Sequence, residues 1–377
     1  MIQEAVLSTW CAAHEAEQIE LLKTIAAIPA PSHFEQERAR FILQWLHDIG
    51  ANEARLDEVN NVLLPVKCDR RDGISLYMAH TDVVFPDTTP LPVREEGGRL
   101  YAPGVGDDTA NVVALMLCAK FMFEMECYPA EPVLIAFNVC EEGLGNLKGV
   151  RHIMESWSGR IRSFVSFDGE LDSMVDKAVG SERWKVTART EGGHSYGDFG
   201  NRNAIHSLAS LIGALYTVKP LEKDGSKTTY NVGKIEGGTS VNTIAQEASM
   251  LYEYRSDNRE CLEAMRKAFQ ATVGAFEAMG TAFETELLGV RPCMGEVDKA
   301  LQAAHLARCA RAITQATGAA PATRSGSTDA NIPFSLGIPS AVFGLYRGDG
   351  AHTREEYVEL ASLKTGLLCA LRLMLYA

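Results

Sequence analysis

The chain has 377 residues, enough for roughly two or more domains, and carries 36 Lys and Arg against 49 Asp and Glu. The resulting net charge of −13 argues against nucleic acid and anionic membranes as partners. Its 9 Cys are irregularly spaced without a CxxC pair, so neither a disulfide framework nor a Cys-based zinc site is indicated. The opening MIQEAVLSTWCAAHEAEQ lacks the basic and apolar regions of a signal peptide. No apolar stretch approaches the ~20 residues that span a bilayer. A cytoplasmic protein is the expectation.

Short apolar runs deliver the acids and imidazoles of interest one after another. Ile74–Ala79 (ISLYMA) leads to His80-Thr81-Asp82. The loop from Pro103 to Asp108 opens an apolar helix around Asn111–Phe123, with Asp107 at an N-cap position. Val133–Cys140 (VLIAFNVC) leads to Glu141-Glu142, and Phe164–Phe167 (FVSF) leads to Asp168. Between about 179 and 290 the pattern changes. Trp184–Thr190 alternates as a half-buried strand does, Ala204–Tyr216 has helical spacing, and Asn231–Glu236 and Ala248–Arg255 alternate again. Leu262–Met279 is helical and Phe283–Val290 a strand, completing the β-α-β-β-α-β order of a split βαβ domain. The outer pattern then resumes with a helix over Val297–Thr317, the run Ala341–Leu345 and a Gly-rich turn into His352. The expected class is therefore α/β. A mostly parallel sheet is built from residues 1–178 and 291–377, and a ferredoxin-like domain, 179–290, is inserted into it.

Continuous apolar runs suit strands buried on both faces, and in parallel sheets the binding crevice lies beyond the strands' carboxyl ends. His80, Glu142, Asp168 and His352 should therefore converge on one edge, with Asp107 supplied by its loop. Imidazole plus carboxylate suits zinc, with cobalt or manganese as alternatives. Two neutral His and three carboxylates carry −3, and with a bridging hydroxide they balance two divalent ions better than one. A dinuclear site also needs one carboxylate between its ions. Glu141, beside Glu142, is placed to act as a base, and Asp82 to hold the second N–H of His80. Taken singly, each of these residues could be a solvated turn; four beyond strand ends and one on a neighbouring loop together point to a site.

The motifs SLYMAHTDVV, PGVGDDTANV, CEEGLGNLKG, FDG, GGHS and GDGAH resemble those of the dinuclear zinc metallopeptidases and amidohydrolases. Carboxypeptidase G, tripeptidase T, aminoacylase and succinyl-diaminopimelate desuccinylase are among them. The match runs in order from Ile28-Pro29 to the segment after His352. The resemblance implies that His80 and Asp168 hold one ion, Glu142 and His352 the other, and Asp107 bridges. It gives Glu141 the role of general base and Asp82 that of orienting His80, and it implies a cis peptide at Asp107–Asp108. It makes residues 1–178 and 291–377 the catalytic metal-binding domain and the inserted segment a lid and dimerisation domain. There His194, Asn242 and Arg255 would bind the substrate carboxylate, and His194 would reach a partner subunit's site and stabilise the tetrahedral intermediate. Two departures stand out: Thr109-Ala110-Asn111 replaces a common Lys-Gly-Gly, and Glu253-Tyr254-Arg255 a common Asp-x-Arg.

Rival motifs carry less. Gly193-His194-Ser195-Tyr196-Gly197 matches G-x-S-x-G, with Asp329 and His352 following, but helical spacing starts only near Asn203 and no elbow is expected. Asp107 and Asp108 would repel a pyrophosphate at Gly104-Val105-Gly106, and the H-E-x-x-H begun by His14 ends in Gln18. His14, His33, His47, His152, His206 and His305 read as ordinary histidines, and Cys140 as a buried thiol. A small-peptide amidase of di- or tripeptidase type is expected, in which a metal-bridging hydroxide attacks the amide carbonyl. An N-acyl amino acid deacylase or desuccinylase is the runner-up. A non-catalytic metal-dependent binding protein would have no use for Glu141. A homodimer formed through the inserted domain completes the expectation.

Overall fold

A computed structural model describes residues 4–69 and 72–376; the first residues of the segment read for an export signal lie outside them. The chain forms two compact units, Met1–Lys177 with Gly295–Ala377, and Ala178–Met294.

The larger unit is organised by an eight-stranded sheet. Its centre is four parallel neighbours, Val133–Asn138, Ile74–His80, Ile161–Ser166 and Ser340–Val342, in that spatial order. Val62–Val66 extends the sheet antiparallel on one side and Ser173–Ala178 on the other. Alternate positions on both faces are buried: Tyr77, Ala79, Ile135 and Phe137 on one, Leu76, Met78, Leu134 and Ala136 on the other. This is why the runs read as unbroken apolar sequence rather than as an alternation. The helix Asn111–Glu124 packs on the strand Ile74–His80 and against Glu15–Ala26, Gln36–Asp48 and Leu360–Leu375. It is apolar all round because it has neighbours all round.

Asp107 does not cap this helix. The chain enters through a π-helical turn, Val105–Ala110, in which Asp107 has φ −97° and ψ 91°, and Ala110 precedes the helix without a side-chain cap. The Asp107–Asp108 peptide is cis.

The smaller unit is a four-stranded antiparallel sheet in the order Thr228–Gly237, Glu247–Ser256, Gly180–Arg189, Phe283–Arg291. Helices Ala204–Leu215 and Arg259–Ala278 cover one face, burying Val186, Ala188, Met250, Tyr252 and Tyr254. Asn203 and Asn258 start these helices, each accepting two backbone N–H bonds at the N-cap. The intervening residues Arg183, Lys185, Glu253 and Arg255 lie on the opposite face, which produces the period-two pattern. A two-stranded ribbon pairs Gly193–His194 with Thr243–Ile244. No helix of the described residues is long and apolar enough to cross a membrane.

Candidate metal centre

The parallel strands deliver their residues as a register would require. His80 is the last residue of its strand and faces Asn138, the last of the neighbouring one, so Glu141 and Glu142 leave the sheet just beyond it. Asp168 follows Ser166 on the other side, where its N–H is held by the Phe343 carbonyl at 3.2 Å. His352 arrives through the short strand Gly348–Asp349, with a left-handed φ of 65°.

Asp107 lies between the two imidazoles. Its Oδ1 is 3.0 Å from His80 Nε2 and its Oδ2 3.0 Å from His352 Nε2, while His352 Nε2 is also 3.1 Å from Glu142 Oε1. Donor atoms within 4.8 Å of one another form three groups: His80, Asp107, Asp108 and Asp168; Asp107, Glu142 and His352; and His80, Glu141 and Glu142. Asp108 belongs to the first by position, yet its oxygens accept the His80 backbone N–H at 2.9 Å and the Asn111 amide at 2.6 Å. That leaves two donor sets sharing Asp107, each with one imidazole and a second carboxylate. No other described residues form a group of three or more such donors.

The electrostatics fit a pair of cations. Burial pushes the Asp168 carboxyl up to about 7, with the Asp107 charge adding to it. Burial likewise lifts Glu142 to about 7, the His352 bond opposing and the Asp107 and Glu141 charges reinforcing it. Burial also acts to raise Asp107, but the bonds from His352 and His80 outweigh it and hold that carboxyl below its usual range. Hydrogen bonds to Asp107 and then Glu142 raise His352 to about 10. Carboxylates crowded in a buried site and competing for two imidazoles are what divalent ions would neutralise.

Asp82 plays a wider part than orienting one ring. His80 Nδ1 is closer to the Asp82 backbone oxygen, 3.1 Å, than to its Oδ1, 3.4 Å. The carboxylate accepts the Glu141 N–H and the Glu142 N–H at 2.9 Å each, and the Ser32 hydroxyl at 2.6 Å. One buried acid thus fixes the backbone of both candidate residues.

Further supports were not visible in the sequence. Glu35 accepts the Cys140 N–H at 3.0 Å, just where Cys140 takes a φ of 61° and turns the chain toward Glu141. Arg38, fully buried, donates to the carbonyls of Thr81 and Ile28 and to the Thr109 hydroxyl. Asn111 holds Asp108 with its amide and accepts the Leu345 N–H with its oxygen, so the Thr109-Ala110-Asn111 departure is part of the frame. Asn138 donates to the buried Asp329 at 2.7 Å. Nothing local in the sequence could have suggested these partners, since the contacts span up to 234 residues. The remaining histidines behave as ordinary ones: His305 lies 3.0 Å from the Phe164 carbonyl and His47 2.9 Å from that of Ala54. Burial pushes the Cys140 thiol well up, so it is no thiolate.

In the smaller unit, His194 and Asn242 are neighbours. His194 pairs with Thr243 across the ribbon, and the Asn242 carbonyl accepts the Ser195 N–H at 2.9 Å. His194 Nδ1 accepts from the Tyr196 and Gly197 amides, which leaves the proton on Nε2 as a donor. Ser195 is followed by turns rather than a helix, so no nucleophile elbow forms. Arg255 is elsewhere. It sits near the far end of Glu247–Ser256, roughly 25 Å along the strand from the ribbon end at about 3.3 Å per residue. It is held there by a bidentate pair with Glu253, 3.0 Å for each bond. The three donors therefore do not form one cluster within a subunit.

The profile of peptidase family M20/M25/M40 matches residues 76–376. An acetylornithine deacetylase of Myxococcus xanthus is 28% identical over 342 residues, 88% of this chain and 84% of the relative. A Saccharomyces cerevisiae di-peptidase, Dug1p, has the same fold, with a TM-score of 0.77 at 15% identity over 99% of this chain and 98% of the other. So has a Bacillus subtilis dinuclear metal-binding peptidase of family M20, with a TM-score of 0.64 at 16% identity over 96% and 98%. The chain belongs to peptidase family M20/M25/M40, whose members are metallohydrolases.

Proposed function

We propose that the protein hydrolyses the amide bond of a small peptide, as a di- or tripeptidase does, with two divalent metal ions and Glu141 as general base. The observation that carries this reading is Asp107, each of whose oxygens faces a different histidine. In this assignment His80 and Asp168 would hold one ion and Glu142 and His352 the other, with Asp107 serving both. Zinc suits the donors, with cobalt or manganese as alternatives. When bound, such a pair supplies Lewis-acid polarisation of the amide carbonyl and a water of lowered pKa. Glu141 accepts a proton from the attacking water at its carboxylate and gives it to the leaving amine nitrogen. Asp82 keeps that carboxylate in register with Glu142 through the two adjacent backbone amides. The Nε2–H of His194 and the amide of Asn242 act as donors to the substrate, His194 to the oxyanion as it develops.

A second reading, N-acyl amino acid deacylase, is favoured by the likeness to an acetylornithine deacetylase. Assaying the zinc-loaded protein on di- and tripeptides against N-acetyl and N-succinyl amino acids decides between them. No hydrolysis of either class would overturn both. Homodimerisation through the smaller unit is supported by its edge strand Thr228–Gly237, which has no strand partner on one side among the described residues and exposes Ile235. In a dimer the ribbon of one subunit and the Arg255 of the other need not be far apart, which would reconcile their separation within a chain. All nine cysteines are free thiols, as suits the cytoplasm.

A further inference from the structure

Four residues beyond His352, Glu356 is 1% exposed and makes no ion pair among the described residues. Its carboxylate is spent on backbone instead. Oε2 accepts the Gly104 N–H at 2.8 Å, and Oε1 accepts those of Gly106 at 2.8 Å and Asp107 at 2.7 Å. Three amides of one loop converging on a single carboxylate form an anion nest whose anion is part of the protein. The loop could not approach so closely with larger residues. A Cβ on Gly104 would come within 2.3 Å of Val83 Cγ1, and one on Gly106 within 2.5 Å of the Tyr346 hydroxyl.

Glu356 also belongs to the turn that carries His352. The Thr353 N–H bonds to the Gly350 carbonyl at 2.9 Å and the Glu356 N–H to that of Thr353 at 3.4 Å, while the Glu356 carbonyl accepts the Ala102 N–H at 3.2 Å. The segment presenting His352 and the loop presenting Asp107 are thereby tied to each other through one side chain and one backbone carbonyl. We propose that Glu356 is a positioning residue, which fixes the Asp107 loop against the His352 turn so that both can serve one metal ion. This rests on the assignment of Asp107 and His352 as ligands. A merely structural Glu356 would contribute stability without touching metal affinity.

Glu356→Gln keeps the shape but turns an acceptor into a donor facing backbone N–H groups. The metal-free and metal-loaded full chain should be compared with this variant in three ways. Competition with a chelator should show metal affinity weakened roughly 10- to 100-fold, the range for partners behind metal ligands. The visible spectrum of the Co²⁺-loaded protein should change. In the metal-free protein, the amides of Gly104, Gly106 and Asp107 should exchange hydrogen faster while those of the strand Ile74–His80 do not. Should Glu356→Gln not fold, Glu356→Asp, which keeps the charge but falls short of the loop, replaces it with the same expected direction. Unchanged affinity and unchanged amide protection would overturn the proposal. Failure of the wild-type protein to bind two ions would overturn the proposed function instead, and the amide exchange would then show whether the loop is held by Glu356.

Discussion

The two units hold their candidate site residues in opposite ways. In the larger one, His80, Asp82, Asp108 and Glu141 are almost completely buried, and the first three are held by several partners at once. In the smaller one, His194 and Asn242 stand on an exposed ribbon beside Tyr196, Phe199 and Val241, which are 89%, 90% and 102% exposed. A buried acid that has lost its partner has no water to turn to, so every atom of the centre must be placed by another. An exposed donor keeps its solvent until a substrate displaces it, and can therefore be loosely held. Damage should accordingly spread through the first region and stay local in the second.

The largest expected effect tests the inner region at its reactive end. Glu141→Gln should retain close to two metal ions by elemental analysis yet lose on the order of a hundredfold or more in turnover. Glu142→Gln should lose metal instead. Normal turnover in Glu141→Gln would mean the two roles are misassigned.

Acid should separate the regions through His305, which is buried behind the sheet. Burial pushes its pKa from the ordinary 6.5 down to about 4, because the charged ring cannot be solvated there. The unfolded chain takes up this proton near 6.5 and the folded one only near 4, so the stability it contributes is complete above 6.5 and is lost as pH falls toward 4. At about 1.4 kcal/mol per unit this amounts to roughly 3 kcal/mol. Denaturant melts at pH 7 and pH 4.5 should show the wild type losing more than His305→Gln, which keeps an N–H donor toward the Phe164 carbonyl. Equal losses would show that the ring is protonated without cost.

Asp82→Ala should spread its damage as an inner residue does. It strips acceptors from the Glu141 and Glu142 amides and from Ser32 together, so both metal affinity and turnover should fall, each by roughly 10- to 100-fold. A loss of turnover at unchanged metal content would restrict its role to Glu141.

Smallest of all should be the response to His194→Ala. Its ring is exposed, so the melting temperature should not move, while turnover falls by a larger factor than KM rises, because its donor matters most as the oxyanion develops. Arg255→Ala should lower the preference for free-acid substrates over their C-terminal amides. It also frees Glu253 from its bidentate pair, so Arg255→Ala with Glu253→Ala separates substrate recognition from repair of that pair. Equal hydrolysis of acids and amides by the wild type would show that no carboxylate is read.

How much of this could be read from the chain follows the same division. Strand-end residues such as His80 and Asp168 were visible because burial on both faces leaves unbroken apolar runs, and a polar residue ending such a run is conspicuous. The ferredoxin-like order was visible because one exposed sheet face imposes alternation, as in Glu247–Ser256. Asp107 misled in one respect only: a carboxylate before an apolar helix looks like a cap, whereas its place between two imidazoles was implied by the family resemblance and not by any local pattern. Ser32, Glu35 and Arg38 carried no local signal, since a serine in a turn and charges opening a helix are commonplace. Their importance lies in what they touch 43 to 110 residues away. The distance between Arg255 and the ribbon was in principle countable, as an extended strand of known length separates them.

The placement of Ser340–Val342 has a consequence in time. This strand lies between Ile161–Ser166 and Ser173–Ala178, both of which leave the ribosome well before it. The smaller unit, Ala178–Met294, is continuous and can close as soon as it is made. The larger one must hold a gap in its sheet while more than a hundred residues are synthesised, and His352 comes later still. The centre therefore cannot exist until the whole of the smaller unit and the closing strand have been made. Until that slot is filled, the neighbouring strands present unpaired backbone, and chaperone dependence during synthesis should concentrate there rather than in the inserted unit.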